Sequence, residues 1–162
     1  MSKKRGRPKC VPEAVDEKEL KKVTAFCERY RNLDEEIEDN QFRLARLKDN
    51  LKDATSDFER SLYTQDIEYL SQRVEEDTRY KALIGWGLTQ LEGRTQSVME
   101  QLYVDGYCWD QIETKSGRTL ANGSVGNERL KGLKQLTLII TKKQKELEAA
   151  SVGSSNDNIS SQ

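Results

Sequence analysis

The stretch Val23-Thr24-Ala25-Phe26-Cys27-Glu28-Arg29-Tyr30-Arg31-Asn32-Leu33, continued through Ile37, Leu44, Leu47 and Leu51 to Ala54, decides the fold class. Its apolar side chains recur in two columns, each seven residues apart. One is Val23, Tyr30, Ile37, Leu44, Leu51 and Phe58; the other is Phe26, Leu33, Asn40, Leu47 and Ala54. A period of 3.5 residues is the seam of a helix that packs against a second helix. A helix over 23–54 would be about 48 Å long. Asn40 is the polar exception in the seam, where a buried amide fixes register or oligomer state at some expense of stability.

C-terminal to this stretch the register slips. Ser56-x-x-Glu59 is a capping-box pattern, and Thr64-Gln65-Asp66 is a second plausible helix start. A further stripe follows: Tyr63, Ile67, Leu70, Val74, Ile84, Leu88 and Leu91, interrupted by Asp77 and Lys81. Gly85 and Gly87 flank Trp86, marking a hinge or a point where another backbone packs closely. The short connection near 55–65 predicts an antiparallel helical hairpin; a parallel dimer through the first helix is the alternative. In either case the stripe needs a partner, and Gly93 is expected to end the second helix.

Composition agrees with striped helices. The chain has 162 residues, of which 34% are charged and 35% hydrophobic, fewer than a large core requires. It contains no histidine, which excludes Ser-His-Asp and Cys-His catalysis and histidine metal ligation. Cys10, Cys27 and Cys108 are too far apart for a structural zinc site or a disulfide framework, and they point to a reducing, cytoplasmic setting. No apolar run approaches the roughly 20 residues that span a bilayer. No phosphate-binding glycine loop is present either. The expectation is therefore a binding protein with no catalytic residues, no cofactor, no metal and no membrane partner.

The formal net charge of −1 conceals a segregation. Residues 1–9 carry +5. Residues 23–93 carry 10 basic and 16 acidic groups, net −6. Residues 115–145 carry 8 basic groups against the single acid Glu128, net +7. Two cationic patches around an acidic middle suggest nucleic acid for the ends and a different partner for the middle.

Residues 1–15 read as a flexible basic arm, 16–93 as helical hairpin or coiled coil, 94–148 as a DNA-binding unit, and 149–162 as a disordered tail. Within 94–148 a short helix is expected over 95–104, with Val98, Met99, Leu102 and Tyr103 inward. Asp105-Gly106 is a turn signal. A second helix is expected over about 108–115 with Trp109 and Ile112 inward, then a loop with Gly117 and Asn122-Gly123. Ser124 caps a third helix, whose apolar face is Val125, Leu133 and Leu136. This is the order of a helix-turn-helix.

The run Val98-Met99-Glu100-Gln101-Leu102-Tyr103-Val104-Asp105-Gly106-Tyr107-Cys108-Trp109-Asp110-Gln111-Ile112 resembles the start of a sigma-factor region-four helix-turn-helix. Phage late-transcription regulators of the ArpU/RinA type resemble the chain most closely, with a helical segment ahead of this module. Glu113-Thr114 departs from the pattern, and the stretch from Ile112 to Val125 is about two residues longer than is typical of it. Gly126 and Gly132 weaken the third helix, and Glu128 occupies a position that is often apolar. The resemblance implies a sequence-specific regulator acting on double-stranded DNA in a bacterial host cell, with host RNA polymerase as partner of the acidic helices. The plainer reading of those helices is a spacer that self-associates through the heptad columns.

In such a module Asn127 is expected to pair with adenine and Arg129 with guanine, Ser124 capping the helix beside them. Lys131, Lys134, Lys115 and Arg118 are phosphate candidates. The arm Lys4-Arg5-Gly6-Arg7-Pro8-Lys9 resembles an AT-hook, with Arg5, Arg7 and Lys9 directed to the minor groove of A·T-rich DNA. Two other functions fit the same layout: a phage small terminase subunit that forms a ring on packaging DNA, and a coiled-coil adaptor without DNA binding.

Overall fold

Asp16 opens the first helix of the computed structural model by accepting the Lys18 amide on its carboxylate (3.1 Å). The structure describes residues 14–160, with side chains as far as Val152; the AT-hook-like run at Arg5, Arg7 and Lys9 lies outside the described residues. Five α-helices follow in order: α1 (Glu17–Arg29), α2 (Leu33–Lys52), α3 (Asp57–Thr89), α4 (Gly93–Tyr103) and α5 (Asn122–Ser160). The described chain is all-α, apart from one isolated antiparallel bridge between Glu113 and Thr119.

The heptad segment is not one helix. A 3-10 turn at Tyr30–Asn32 separates α1 from α2, although the flanking residues Arg29 and Leu33 keep right-handed helical dihedrals. The break has tertiary causes. The Tyr30 hydroxyl lies against Gly85, where an added Cβ would sit only 2.9 Å away, and Lys81 lies over the Tyr30 ring. The next side chain, Arg31, rests against Gly106.

The Ser56 hydroxyl accepts the Glu59 amide (3.1 Å), and the Glu59 carboxylate accepts the Thr55 amide (3.2 Å), so the expected cap starts α3. Thr64 lies inside that helix. Asp34 of α2 is ion-paired with Lys81 of α3, while Asn50 lines a cleft with Asp66, so the two helices run in opposite directions side by side. Leu33 and Leu44 are buried and Ile37, Leu47 and Leu51 half-buried. The buried heptad positions of α2 thus pack within the chain, against α3.

Two helices flank the C-terminal half of α3. Phe26 of α1 stacks on Tyr80 at 4.5 Å between centroids, and the Tyr80 hydroxyl donates to Glu19 (2.9 Å). On the α5 side, Gly87 lies so close to Leu136 that a Cβ would come within 2.5 Å of its Cδ1. The same device joins α4 to α5: a Cβ on Gly132 would meet Met99 Cγ at 2.5 Å. Both glycines permit close helix approach, so Gly132 is a packing site and not a flaw in α5. One continuous core results, built from Val23, Phe26, Tyr80, Ile84, Met99, Leu136 and Ile140 among others. Each fully buried aliphatic side chain contributes about 1.5–3 kcal/mol.

Asp77, which interrupts the apolar stripe, is 2% exposed. Its carboxylate faces Arg29 (3.4 Å) and Arg73 (4.0 Å), and Arg29 also grips Glu36 (2.7 Å). This ion cluster ties α1, α2 and α3 together where the 3-10 turn interrupts the helix. Hydrogen bonding to Glu36 raises the Arg29 pKa above its usual value, with Asp77 adding to the effect.

Two further departures concern the C-terminal region. Residues 149–160, expected as a disordered tail, continue α5 to Ser160; Lys145-Glu146-Leu147-Glu148-Ala149-Ala150 are strong helix formers that need no packing partner to propagate an existing helix. The expected helix over 108–115 is absent. In its place are a 3-10 turn at Trp109–Gln111 and the bridged loop described below. No helix among the described residues is long and apolar enough to cross a membrane.

Removing the Arg29 guanidinium leaves the buried Asp77 carboxylate with only the more distant Arg73, 4.0 Å away. Breaking such pairs in full burial costs about 3–5 kcal/mol; the partial exposure of Arg29 lowers the expectation for Arg29→Ala to about 2 kcal/mol, read by urea unfolding. A change below 0.5 kcal/mol or so would show that the cluster adds nothing.

The Cys27 thiol is buried, and burial pushes its pKa up to about 12 from 9.0. Between those values the unfolded chain releases a proton that the folded chain retains. Stability therefore falls as pH rises, by up to about 1.4 kcal/mol per pH unit for this group. Urea unfolding from pH 8 to 10.5 is expected to show a shallower decline for Cys27→Ala than for the parent.

Candidate nucleic-acid interface

The loop between α4 and α5 takes its shape from one amide side chain. Gln101 on α4 donates from Nε2 to the Glu113 carbonyl (2.9 Å) and accepts the Glu113 N–H on Oε1 (3.0 Å). It thus pairs with extended backbone as a neighbouring strand would. β-Branched Ile112, Thr114 and Thr119 favour that conformation over helix. Thr114 accepts the Arg118 amide on its side chain, and Gly117 makes the tight turn with φ +84°. Ile112 is buried with Val98 and Val125, pinning the loop under the start of α5. The result is a short turn that exposes Lys115 and Arg118 near its tip.

α5 is two-faced. Val125, Leu133, Leu136 and Ile140 are buried, as the sequence predicts for the first three. Asn127, Lys131 and Lys134 are exposed, and at 3.6 residues per turn Lys142 and Lys145 extend the same exposed row. From Asn127 to Lys145 the row spans about 27 Å. Ser124, expected to cap this helix, lies inside its first turn instead, because α5 already begins at Asn122, and it is half-buried there.

Arg129 lies elsewhere. It falls four residues from both Val125 and Leu133, on the inward face. Its Nε donates to the Tyr103 hydroxyl (2.7 Å), its Nη2 faces Glu28 (3.6 Å), and the guanidinium sits 6.0 Å from the Trp109 ring centroid. Burial raises the Tyr103 pKa, and the positive charge of Arg129 partly opposes that shift. Arg129 thus joins α1, α4 and α5, and its expected guanine contact is replaced by this structural role. Trp109, expected inward, is 43% exposed and covers Gly126, where the missing side chain leaves room for the ring. Glu128 is accommodated beside Thr95, whose hydroxyl lies 3.4 Å from both carboxylate oxygens.

One cation was missed in the sequence. Arg94, at the start of α4, borders two clefts, one shared with Lys131 of α5 and the other with Lys115 and Ser116 of the turn. It places a cation between the turn and α5, in clefts that Glu92, Glu113 and Glu128 also line. Its signal was weak, a lone arginine after Gly93, and only the packing of α4 on α5 gives it meaning. Among the described residues no group of three or more His, Cys, Asp or Glu is arranged to hold a metal ion.

No family model, no curated protein and no solved structure matches this chain.

Replacing Arg129 by alanine is expected to lower stability by about 1–3 kcal/mol, since the Tyr103 hydroxyl and Glu28 lose their partner. Thermal unfolding checks this, and an unchanged midpoint would return Arg129 to the list of free surface cations.

Proposed function

We propose that this chain binds double-stranded DNA with the exposed row of α5 and acts as a sequence-specific transcription regulator. The observation that carries the reading is the row Asn127, Lys131, Lys134, Lys142 and Lys145, extended by Arg94 and Lys115 on adjoining elements. An α-helix fits the major groove with its N-terminal residues at the base edges. Asn127 is the side chain best suited to read a base, with adenine its preferred partner. Lys131, Lys134, Arg94, Lys115 and Arg118 meet phosphates. α4 and α5 act as the first and last helices of a helix-turn-helix whose middle helix has been replaced by the clamped turn. α2 and α3 form a hairpin arm outside the reading unit.

The run 98–112 supports the more specific proposal of a phage late-gene activator of the ArpU/RinA type. The substitution of a turn for the middle helix makes the unit a divergent member of that pattern. The basic segment at Arg5, Arg7 and Lys9 adds phosphate or minor-groove contacts, and RNA polymerase is the proposed partner of the acidic arm.

Binding to a duplex selected from a random pool, followed by fluorescence anisotropy, tests the reading. Lys131→Ala with Lys134→Ala is expected to weaken binding on all sequences and to reduce the salt slope by about 2. Asn127→Ala is expected to cost about 1–3 kcal/mol on the selected site and little on random DNA. Undetectable binding by the parent at low salt would leave the coiled-coil adaptor as the function.

A further inference from the structure

The hairpin arm carries a second apolar row that the fold does not use. Phe58, Leu62 and Tyr69 stand at i, i+4 and i+11 on α3, so they share one face, away from the row that meets α2. They are 73%, 47% and 65% exposed. Tyr69 also fixes which flank this is. It borders a cleft with Arg43, Arg46 and Asn50 of α2, a second with Glu36, Asp39 and Arg73, and a third with Lys22, Ala25 and Glu76. The three clefts have Tyr69 in common and so lie along one flank. Three large apolar side chains exposed on one face are surface that a partner can cover.

Charge order along the flank selects its occupant. On α2 the acids Glu36 and Asp39 precede the bases Arg43 and Arg46, symmetrically about position 41. On α3 the acid Asp66 and the base Arg73 lie on either side of Tyr69. A flank with opposite charges at equal distances from a centre is complementary to itself when turned end for end. This is the condition for a two-fold, isologous contact.

We propose that two copies of this chain dimerise through the Tyr69 flank, with their arms antiparallel. Arg43 then meets the partner's Asp39 and Arg46 the partner's Glu36. Asp66 meets the partner's Arg73, and the two Tyr69 rings pack at the centre. Leu62, one helical turn beyond Asp66, enters the partner's cleft between α1 and α3. Because the arms are reversed, the two cores lie at opposite ends, each with its own α5 row.

Sedimentation equilibrium or light scattering on the full chain reads the outcome, with circular dichroism as the check on folding. The parent is expected to be a dimer at micromolar concentration. Leu62→Glu and, separately, Tyr69→Glu are expected to give monomers of unchanged helicity, since both side chains are exposed in the single chain. Arg43→Glu is expected to weaken the dimer about tenfold by facing the partner's Asp39. Adding Asp39→Arg to Arg43→Glu is expected to restore affinity, because both symmetric pairs re-form with reversed sign. A monomeric parent, an assembly of eight or more copies, a dimer indifferent to Leu62→Glu and Tyr69→Glu, or no rescue by the second charge reversal would each overturn the proposal.

Discussion

The approach of Leu136 to Gly87 sets the orientation of α5, and most of the molecule depends on that orientation. A side chain at position 87 would hold α5 away from α3; glycine lets Leu136 and Ile140 settle against it. Gly132 does the same toward Met99 of α4. Once both contacts are made, α5 is fixed in rotation. Its apolar face is consumed, and the row from Asn127 to Lys145 is left facing solvent. Arg129 strengthens the same choice from within, bonded to Tyr103 and facing Glu28 across the start of the helix.

The rest of the chain is arranged around this anchored helix in two directions. Toward α4, Gln101 and the buried trio Val98, Ile112 and Val125 hold a turn that presents Lys115 beside Arg94 and leaves Arg118 exposed. Toward the arm, the Asp77–Arg29–Glu36 cluster binds α1 and α2 to α3 just where the helix is interrupted. The cationic surface and the acidic arm thus belong to separate elements. The opposite charges of residues 23–93 and 115–145 need not neutralise one another, and the near-zero net charge of the chain says little about either surface.

Sequence periodicity reached the all-α class because it needs only the spacing of apolar residues. Val23, Phe26, Leu33 and Leu44 are buried as their columns require. The same periodicity missed the break at Tyr30, since no proline or glycine marks it. It arises from Tyr30 meeting Gly85 and Arg31 meeting Gly106, residues distant in the chain. Tyr80 and Leu83 were missed for a related reason. The C-terminal half of α3 packs against both α1 and α5, so its buried face is wider than one seam and includes a paired carboxylate. The absent middle helix did have a local signature in Ile112, Thr114, Gly117 and Thr119, which the resemblance of 98–112 outweighed. In the candidate interface, Lys131 and Lys134 were legible from helical spacing. Arg129 lies inward, as its spacing from Val125 and Leu133 dictates, and Arg94 emerges only from tertiary packing.

The exposed row of α5, with its neighbours on α4 and the turn, is the surface proposed to meet DNA. Backbone amide shifts of the isotopically labelled full chain, followed by nuclear magnetic resonance during titration with a selected duplex, test it most directly. The account predicts the largest changes at Arg94, Lys115, Asn127, Lys131 and Lys134, and small changes along α2 and the N-terminal half of α3. Changes concentrated on the arm, or a spectrum indifferent to added duplex at low salt, would contradict it.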